Sequence, residues 1–353
     1  MSGLFEIKAV DRAFYEKKIR QFLPEDIIDI HTHVWLERFR KEAVNAPVRA
    51  VAWPSLVAKE NPVEELLETY RLMFPGKKVT PLIFSQVSPD MDLKAGNGYI
   101  GECAEKYGLP SLMVARPETS AADLEDEVIK GGFLGCKVYL NFSAPYIPEK
   151  EIRIYDFLPP HQLEVLNRHG WIVMLHIPRD GRLKDPVNLA QLLEIEKKYP
   201  ELKLIVAHVG RAYCPEDLGN AFEVLHETRK MMFDFSANTN SYVFRQLIKA
   251  VGPKRILFGS DLPILRMRAR RICSNGTYVN LVPRGLYGNI SGDSHMGEVD
   301  GDAAEEITFF MYEEIEAFRQ AAQQEGLART DIGDVFYNNA KTLLNNTDRG
   351  IYL

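Results

Sequence analysis

The sequence has little of what marks a secreted or membrane protein. It contains four cysteines in 353 residues, Cys103, Cys136, Cys214 and Cys273, and they form no CxxC pair. Since a chain of this size with so few cysteines rarely carries a disulfide framework, we predict free and mostly buried thiols. No apolar run is long enough to cross a membrane, and the charged N-terminal residues lack the apolar core of a signal peptide. We therefore expect a cytoplasmic protein with no membrane partner.

Two further absences narrow the function. The chain has a formal net charge of −6 and no basic stripe, so we expect no nucleic-acid partner. No glycine-rich turn follows the first apolar run, which argues against an open sheet that binds a dinucleotide. The hydrophobic content, by contrast, is 46%, which is enough for a large core.

Short apolar runs alternate with amphipathic helical segments along most of the chain. Eight runs are brief and bounded by turn residues, as buried parallel strands are, and they lie at 26–35, 79–87, 109–116, 134–141, 171–177, 202–209, 231–238 and 256–263. Helical segments are predicted at 62–73, 121–130, 159–169, 186–199 and 242–251. Eight such units favour an α/β fold of the (β/α)₈ TIM-barrel type over an open sheet.

The remaining segments extend this predicted barrel. We expect an N-terminal helical extension at 1–25, a long loop at 262–302 and C-terminal helices at 303–324 and 332–345. The loop would lie on the catalytic face, because loops that follow barrel strands emerge there. As no linker is evident, we predict a single domain over 1–353 with its barrel core at 26–345.

Polar residues stand at the ends of several apolar runs. His31 and His33 are two apart in the first run, so both side chains project to the same side and could bind one metal ion. His176, His208 and Asp261 end the fifth, sixth and eighth runs. Any one of them alone could be a hydrogen-bonded core residue, but their shared position at strand ends indicates an active site.

These motifs carry a family resemblance. The segments DIHTH, MLHIP, VAHVGR, FGSDLP and YNNAKTLL occur in this order from residue 29 to about residue 345. In them the sequence resembles the amidohydrolase superfamily, specifically the amidohydrolase-related (family 2) group that includes aminocarboxymuconate-semialdehyde decarboxylase and related TIM-barrel metal-dependent hydrolases. The resemblance implies that His31, His33, His176 and Asp261 hold one divalent metal ion, with zinc expected and manganese or iron as alternatives. It also implies catalytic roles for Asp261, as the acceptor of a proton from water, and for His208, as the group that orients or polarises the reactants.

Further cationic and phenolic residues are candidates for substrate binding. Lys137, in the fourth run, has three open interpretations: contact with a substrate carboxylate, a structural pair with an acid, or a carbamate bridging two metals as in some superfamily members. Tyr139 shares its face. Arg179 and Arg211 follow His176 and His208, and with the arginines at 266–271 they form either a mouth for an anionic substrate or ordinary salt bridges.

The sequence thus predicts a metal-dependent hydrolase of a small carboxylate-bearing substrate, cleaving an amide, ester or lactone through a metal-activated water. The alternative is a lyase, a decarboxylase or hydratase of an unsaturated carboxylic acid, that uses the same mononuclear site. A metal-free hydrolase and a binding protein with a vestigial site are less favoured, since all five positions are filled. A homodimer is the expected assembly, because barrels of this kind often pair through helices or long loops.

Overall fold

Eight short parallel strands alternate with helices in the computed structural model of the chain, which describes residues 4–41, 49 and 53–347. The strands are β1 Asp26–His33, β2 Lys78–Phe84, β3 Met113–Val114, β4 Gly135–Val138, β5 Ile172–Leu175, β6 Lys203–Val206, β7 Met232–Asp234 and β8 Ile256–Leu257. β1 pairs with β2, and β3 to β8 form a six-stranded sheet in sequential order. The strands are shorter than predicted, but each falls within its predicted run or overlaps it.

Backbone hydrogen bonds also connect the two sheets. The Leu112 N–H, just before β3, donates to the Ile83 carbonyl of β2 at 3.0 Å. The Asp261 N–H, just after β8, donates to the His31 carbonyl of β1 at 2.8 Å. The second contact brings the carboxyl end of β1 against that of β8, where the candidate site residues lie.

The strands are apolar because both of their faces are buried. Buried side chains form two clusters, and most strands contribute residues to both, with alternate residues of β1 and β5 belonging to different clusters. Gly135 opens β4 at φ +144°, and a Cβ there would lie 2.0 Å from the Ile172 carbonyl oxygen of β5. Only glycine allows this close approach of two strands.

Helices follow most of the strands. They are Val63–Met73, Leu93–Tyr107, Ala121–Gly131, Pro160–Arg168, Pro186–Lys198, Ala221–Leu225 and Ser241–Val251. Polar side chains of Asp92, Ser120, Asp185 and Asn240 accept hydrogen bonds from the first-turn N–H groups of four of them, as N-caps do. The five predicted helices are confirmed, whereas the Leu93–Tyr107 helix was not predicted, because its three glycines weaken the helical pattern.

The terminal regions agree less closely with prediction. The N-terminal extension contains a short α-helix, Ala9–Phe14, that continues into a π-helical turn, Tyr15–Ile19. The C-terminal helices are Gly301–Glu305, Phe310–Gln324, Arg329–Gly333 and Asn339–Asn345, with a π-helical turn at Asp334–Asn338. A continuous helix over 303–324 is therefore wrong. The helix is interrupted at 306–309, where Phe309 pairs with Arg268 in an isolated antiparallel β-bridge.

The segment after β8 is the clearest correction to the predicted fold. Instead of a long loop, it contains a three-stranded sheet of β9 Arg270–Ser274, β10 Thr277–Pro283 and β11 Met296–Val299 in the order β11–β10–β9. β10 alternates buried and half-buried residues. That period of two is the signal for a strand covering one face, and the glycine-rich surroundings obscured it.

The cysteine prediction is wrong in part. Cys214 and Cys273 form a disulfide, with Cα atoms 5.8 Å apart, while Cys103 and Cys136 are free and buried. The bonded cysteines are 59 residues apart in sequence, so only the fold brings them together. Disulfides persist mainly in oxidising compartments. The cytoplasmic location therefore gains no support from the structure and stays a prediction. No helix within the described ranges has both the length and the hydropathy needed to cross a bilayer.

Candidate active site

Three of the five strand-end residues lie around the carboxylate of a fourth, Asp261. The Asp261 Oδ1 atom lies 3.3 Å from His33 Nε2 and 3.5 Å from His31 Nε2. His31, His208 and Asp261 each place a ligand atom within 4.8 Å of the others. The ring of His176 lies next, with its centroid 5.2 Å from that of His208. All five side chains are buried.

Asp234, at the end of β7, orients two of these histidines and was missed in the sequence. The His31 Nδ1–H donates to Asp234 Oδ2 at 3.0 Å, and the His208 backbone N–H donates to Asp234 Oδ1 at 3.0 Å. Burial alone would raise the pKa of Asp234, but the interaction with His31 outweighs it and lowers the pKa. This tautomer of His31 leaves the Nε2 lone pair facing Asp261. The missed signal was a charged residue inside an apolar run, the same signal that identified Asp261.

Asp29, on β1, also fixes the position of site residues, through their backbones. Its Oδ1 atom accepts hydrogen bonds from the backbone N–H groups of His31 at 3.1 Å and Ser260 at 2.9 Å. Its Oδ2 atom accepts one from the Tyr70 hydroxyl at 2.7 Å. Burial raises the pKa of Asp29 to about 7. Since Ser260 precedes Asp261, this one carboxyl group ties together the backbones that carry His31 and Asp261.

The segment that carries His208 has an unusual backbone. His208, Val209, Gly210 and Arg211 all have positive φ, between 51° and 60°, so they form a left-handed turn. A non-glycine residue costs about 1–2 kcal/mol in this conformation. Hydrogen bonds from the His208 N–H to Asp234 and from the Arg211 Nη1 to the Pro178 carbonyl, at 2.9 Å, hold the turn in place. Backbone strain of this kind is concentrated at functional sites.

Burial favours the neutral form of three of these imidazoles, those of His31, His176 and His208. Burial, with the charge of Lys137, lowers the pKa of His31 to about 3. Burial also lowers the pKa of His208, and it lowers that of His176 well below the usual value. Although burial alone would raise the pKa of Asp261, its hydrogen bond from His33 and the nearby histidines hold it at about 2. Neutral imidazoles with an ionised carboxylate are the forms that bind divalent metals.

An unpaired nitrogen supports the same conclusion. His176 Nδ1 is buried and has no hydrogen-bond partner within the described part of the chain. A buried polar atom without a partner is costly, and in a histidine cluster a metal ion is one group that removes the cost. The residues present therefore fit a divalent metal.

Lys137 points from β4 into the same cluster. Its Nζ atom lies 3.4 Å from His31 Nε2 and 5.2 Å from the centroid of the Phe84 ring, and the residue is only 1% exposed. Burial lowers the pKa of Lys137 to about 8. No described carboxylate lies within ion-pair distance of it, so the interpretation as a structural salt bridge loses its support. Tyr139 follows on the same face, and its ring centroid is 4.6 Å from that of His176.

The predicted arginines fall in different places. Arg179 pairs with Asp185 at 3.1 Å and does not line the cavity that contains the histidines. Arg211 lines an adjoining chamber that shares Tyr139 and His176 with that cavity. Of the arginines after Asp261, Arg268 forms a buried ion pair with Asp11 at 2.6 Å. For this arginine the structure agrees with the salt-bridge interpretation.

The histidine cluster opens into a cavity of about 250 Å³. Five aromatic residues contribute rings to its walls, and they are Trp35, Trp53, Tyr139, Tyr213 and Tyr278. Two amides, Gln86 and Asn141, also line it, and their side-chain oxygens are buried without a hydrogen-bond partner among the described residues. Such a pocket is built to enclose a small, mostly planar molecule with a few polar substituents.

A buried histidine and carboxylate cluster at the carboxyl ends of parallel strands is the arrangement of a metal-dependent α/β enzyme. A model of the amidohydrolase family matches residues 28–271. Because this match covers more than half of the chain, the protein belongs to the amidohydrolase family and is an enzyme. No curated protein matches the sequence significantly.

Solved structures show the same fold at low identity. A dihydroxybenzoic acid decarboxylase from a Polaromonas species, with bound manganese and the inhibitor 2-nitroresorcinol, is 18% identical, with 93% of this chain and 100% of that chain covered and a TM-score of 0.54. A protein named as a probable 2-pyrone-4,6-dicarboxylic acid hydrolase from Acinetobacter baumannii, with citric acid bound, is 15% identical, with 90% and 98% covered and a TM-score of 0.52. A 2,6-dihydroxybenzoate decarboxylase from Rhizobium is 14% identical, with 91% and 98% covered and a TM-score of 0.52. At these identities the likeness concerns the fold alone.

Proposed function

We propose that the protein is a metal-dependent hydrolase of a small carboxylate-bearing amide, ester or lactone. The observation that carries this proposal is the cluster of His31, His208 and Asp261, whose ligand atoms lie within 4.8 Å of one another beneath an enclosed cavity. A small anionic substrate fits this cavity, because Lys137 supplies a buried positive charge without an acidic partner in the described chain.

The proposed metal ligands are His31, His33, His176 and Asp261. The Asp261 contacts to His31 and His33 and the unpaired Nδ1 of His176 support this set. His208 is as close to the cluster as any of them, so it is a further candidate ligand. A divalent ion bound here, zinc or else manganese or iron, would supply Lewis acidity and lower the pKa of water from about 15.7 to about 7.

The chain's own groups supply proton transfer. Asp261 is ionised, so its carboxylate can accept a proton from water. The His208 Nδ1–H donates to the Ser236 carbonyl at 3.1 Å, which leaves Nε2 as the free acceptor. Where it does not bind the ion, His208 can therefore take up a proton at Nε2 and return it to a leaving group without changing its backbone contacts.

Lys137 is the proposed partner of the substrate carboxylate, with Tyr139 beside it and Arg211 reaching from the adjoining chamber. A pKa of about 8 keeps the Lys137 ammonium mostly protonated at neutral pH. Arg179 belonged to the predicted substrate-binding set, but it would have to leave Asp185 to take part.

A lyase that uses the same site is the second candidate. The aromatic walls favour a planar ring as substrate. Two of the similar solved structures are decarboxylases of dihydroxybenzoic acids. Decarboxylation of a hydroxybenzoate would use Lys137 to hold the acid, and Asp261 or His208, after taking up a proton from water, would deliver the proton that replaces the carboxyl group.

One experiment separates these functions. The metal content of the purified protein is measured by plasma mass spectrometry, and the protein is then offered 2-pyrone-4,6-dicarboxylate and 2,6-dihydroxybenzoate. Ring opening without release of carbon dioxide supports the hydrolase, and release of carbon dioxide supports the lyase. A protein that binds no divalent metal would contradict both.

Lys137→Met tests the substrate-binding role, with Lys341→Met as a control outside the cavity. We expect Lys137→Met to keep its metal and to lose kcat/KM by about 30-fold or more, as truncation of one partner of a buried charge pair does. Loss of metal in this variant, or an unchanged kcat/KM, would contradict the assignment.

The last part of the proposal concerns the fold that carries the site. We propose that the eight strands close into a (β/α)₈ barrel within a single domain, and the backbone hydrogen bonds that join β1 to the segment after β8 support closure. The homodimer predicted from the sequence remains a proposal, which sedimentation would test.

A further inference from the structure

Arg271, on β9, is buried in a box of aromatic rings. Its guanidinium carbon lies 4.1 Å from the ring centroid of Tyr278, 4.6 Å from those of Tyr213 and Phe310, and 5.7 Å from that of Trp53. The residue is 8% exposed. Trp53, Tyr213 and Tyr278 line the active-site cavity, whereas Arg271 stands behind them.

The polar contacts of Arg271 fix its orientation. Its Nε–H donates to Asn280 Oδ1 at 2.8 Å, and its Nη1 donates to the Ala237 carbonyl. Asn280 lies on β10, and Ala237 follows β7 and also lines the cavity. No described carboxylate pairs with Arg271, so the faces of the aromatic rings provide most of the compensation for its charge. The guanidinium therefore joins the three-stranded sheet to the cavity wall.

Two other contacts bind the same segments together. The Cys214–Cys273 disulfide connects the residue after Tyr213 to β9, two residues beyond Arg271. The Trp53 Nε1–H donates to the Tyr278 hydroxyl at 3.3 Å. Tyr213 and Tyr278 are also in edge contact, with ring centroids 5.0 Å apart. The aromatic wall is thus a connected unit that has Arg271 at its centre.

We infer that Arg271 is a positioning residue for substrate, acting through Trp53, Tyr213 and Tyr278, and this rests on the proposed function of the cavity. A planar substrate needs these rings at fixed angles and spacings. Without the guanidinium, the rings lose their common contact and the wall loses its defined shape. The histidine cluster does not contact Arg271, so metal binding should be independent of it.

The test compares Arg271→Lys with Arg268→Lys. Lysine keeps the charge but lacks the planar fork that reaches Asn280, Ala237 and the rings together. Arg268 is a matched control, because it is similarly buried at 7%, lies 4.6 Å from the Phe309 ring and pairs with Asp11, but the ring that it contacts does not line the cavity. Both variants are assayed for metal content, and for KM and kcat on whichever substrate the wild-type protein turns over.

We expect Arg271→Lys to raise KM by about tenfold, because rings that are no longer held in place must be ordered when substrate binds, with little change in kcat and an unchanged metal content. Arg268→Lys should lower the melting temperature and leave KM as it is. An unchanged KM in Arg271→Lys, or an equal rise in both variants, would overturn the inference.

A second measurement needs no substrate, so it separates failure of this inference from failure of the proposed function. Hydrogen exchange followed by mass spectrometry should show faster exchange in Arg271→Lys at 53–56, 213–214 and 270–283, with the peptides around His31 and Asp261 unchanged. Exchange at the wild-type rate in the first three segments would overturn the inference even if no substrate is known. The double variant Arg271→Lys/Tyr278→Leu should exchange hardly faster than either single variant, since residues that act as one unit are not additive.

Discussion

Replacement of Asp234 by asparagine tests how the proposed metal site is held. Asp234 is fully buried, and its two oxygens accept hydrogen bonds from the His31 ring and from the backbone N–H groups of His208 and Ser236, the last at 3.1 Å. A carboxylate suits this position because all of these partners are donors. An asparagine of the same shape must turn its NH₂ group toward one side, so a donor then faces either the His31 Nδ1–H or the two backbone N–H groups.

The expected loss follows from that mismatch. If the amide oxygen stays with the backbone groups, His31 can remain only as the tautomer with a proton on Nε2, the nitrogen that faces Asp261. Loss of such a supporting contact costs about 10–100-fold in metal affinity, which corresponds to about 1.4–2.7 kcal/mol. We expect Asp234→Asn to show that decrease in affinity for zinc or manganese.

The assay is competition with a chelator, followed by plasma mass spectrometry, and Asp11→Asn is the control. Asp11 is another fully buried carboxylate, paired with Arg268 and hydrogen-bonded by the Thr308 hydroxyl, and it does not line the cavity. Its variant should lose about 3–5 kcal/mol of stability, as a broken buried ion pair does, and keep the wild-type metal affinity. The reasoning is refuted if Asp234→Asn binds metal as tightly as the wild-type protein, or if Asp11→Asn loses metal to the same extent.

Three further predictions concern stability and pH. Cys273→Ser removes the disulfide with Cys214, which closes a loop of 59 residues, and should lower the free energy of unfolding by about 4 kcal/mol in urea titrations; a loss below about 1 kcal/mol would contradict this. Gly135→Ala places a Cβ 2.0 Å from a carbonyl oxygen, so it should lower the free energy of unfolding by roughly 3 kcal/mol or more in the same assay. Gly98 lies in the middle of a helix with nothing within 4 Å of its added Cβ, so Gly98→Ala should raise the free energy of unfolding by about 0.5–1 kcal/mol. Since the pKa of His31 is lowered to about 3, protons compete little for this ligand, and metal content after dialysis should be the same at about pH 7.5 and about pH 5.5; a midpoint of metal loss near pH 6.5, the ordinary histidine value, would speak against it.

The sequence was sufficient to locate the strands and the candidate site. Apolar runs with turn residues at their ends mark buried parallel strands, because a strand buried on both faces excludes polar groups. That exclusion makes His176, His208 and Asp261 conspicuous at strand ends. The spacing of His31 and His33 placed both on one side for the same geometrical reason.

Contacts between distant segments could not be predicted in this way. The Cys214–Cys273 disulfide, the pairing of Asp234 with His31 and the aromatic box around Arg271 join residues that are 59, 203 and, for Trp53, 218 positions apart. Each depends on which strand ends and loops the fold places side by side, and no local pattern records that. The three-stranded sheet after β8 was missed for a different reason, because glycine-rich surroundings obscured the period of two in β10. The sequence by itself determined which polar residues stand at the strand ends of the candidate site, since burial makes a polar strand end costly, while the tertiary structure alone decided which partners orient them.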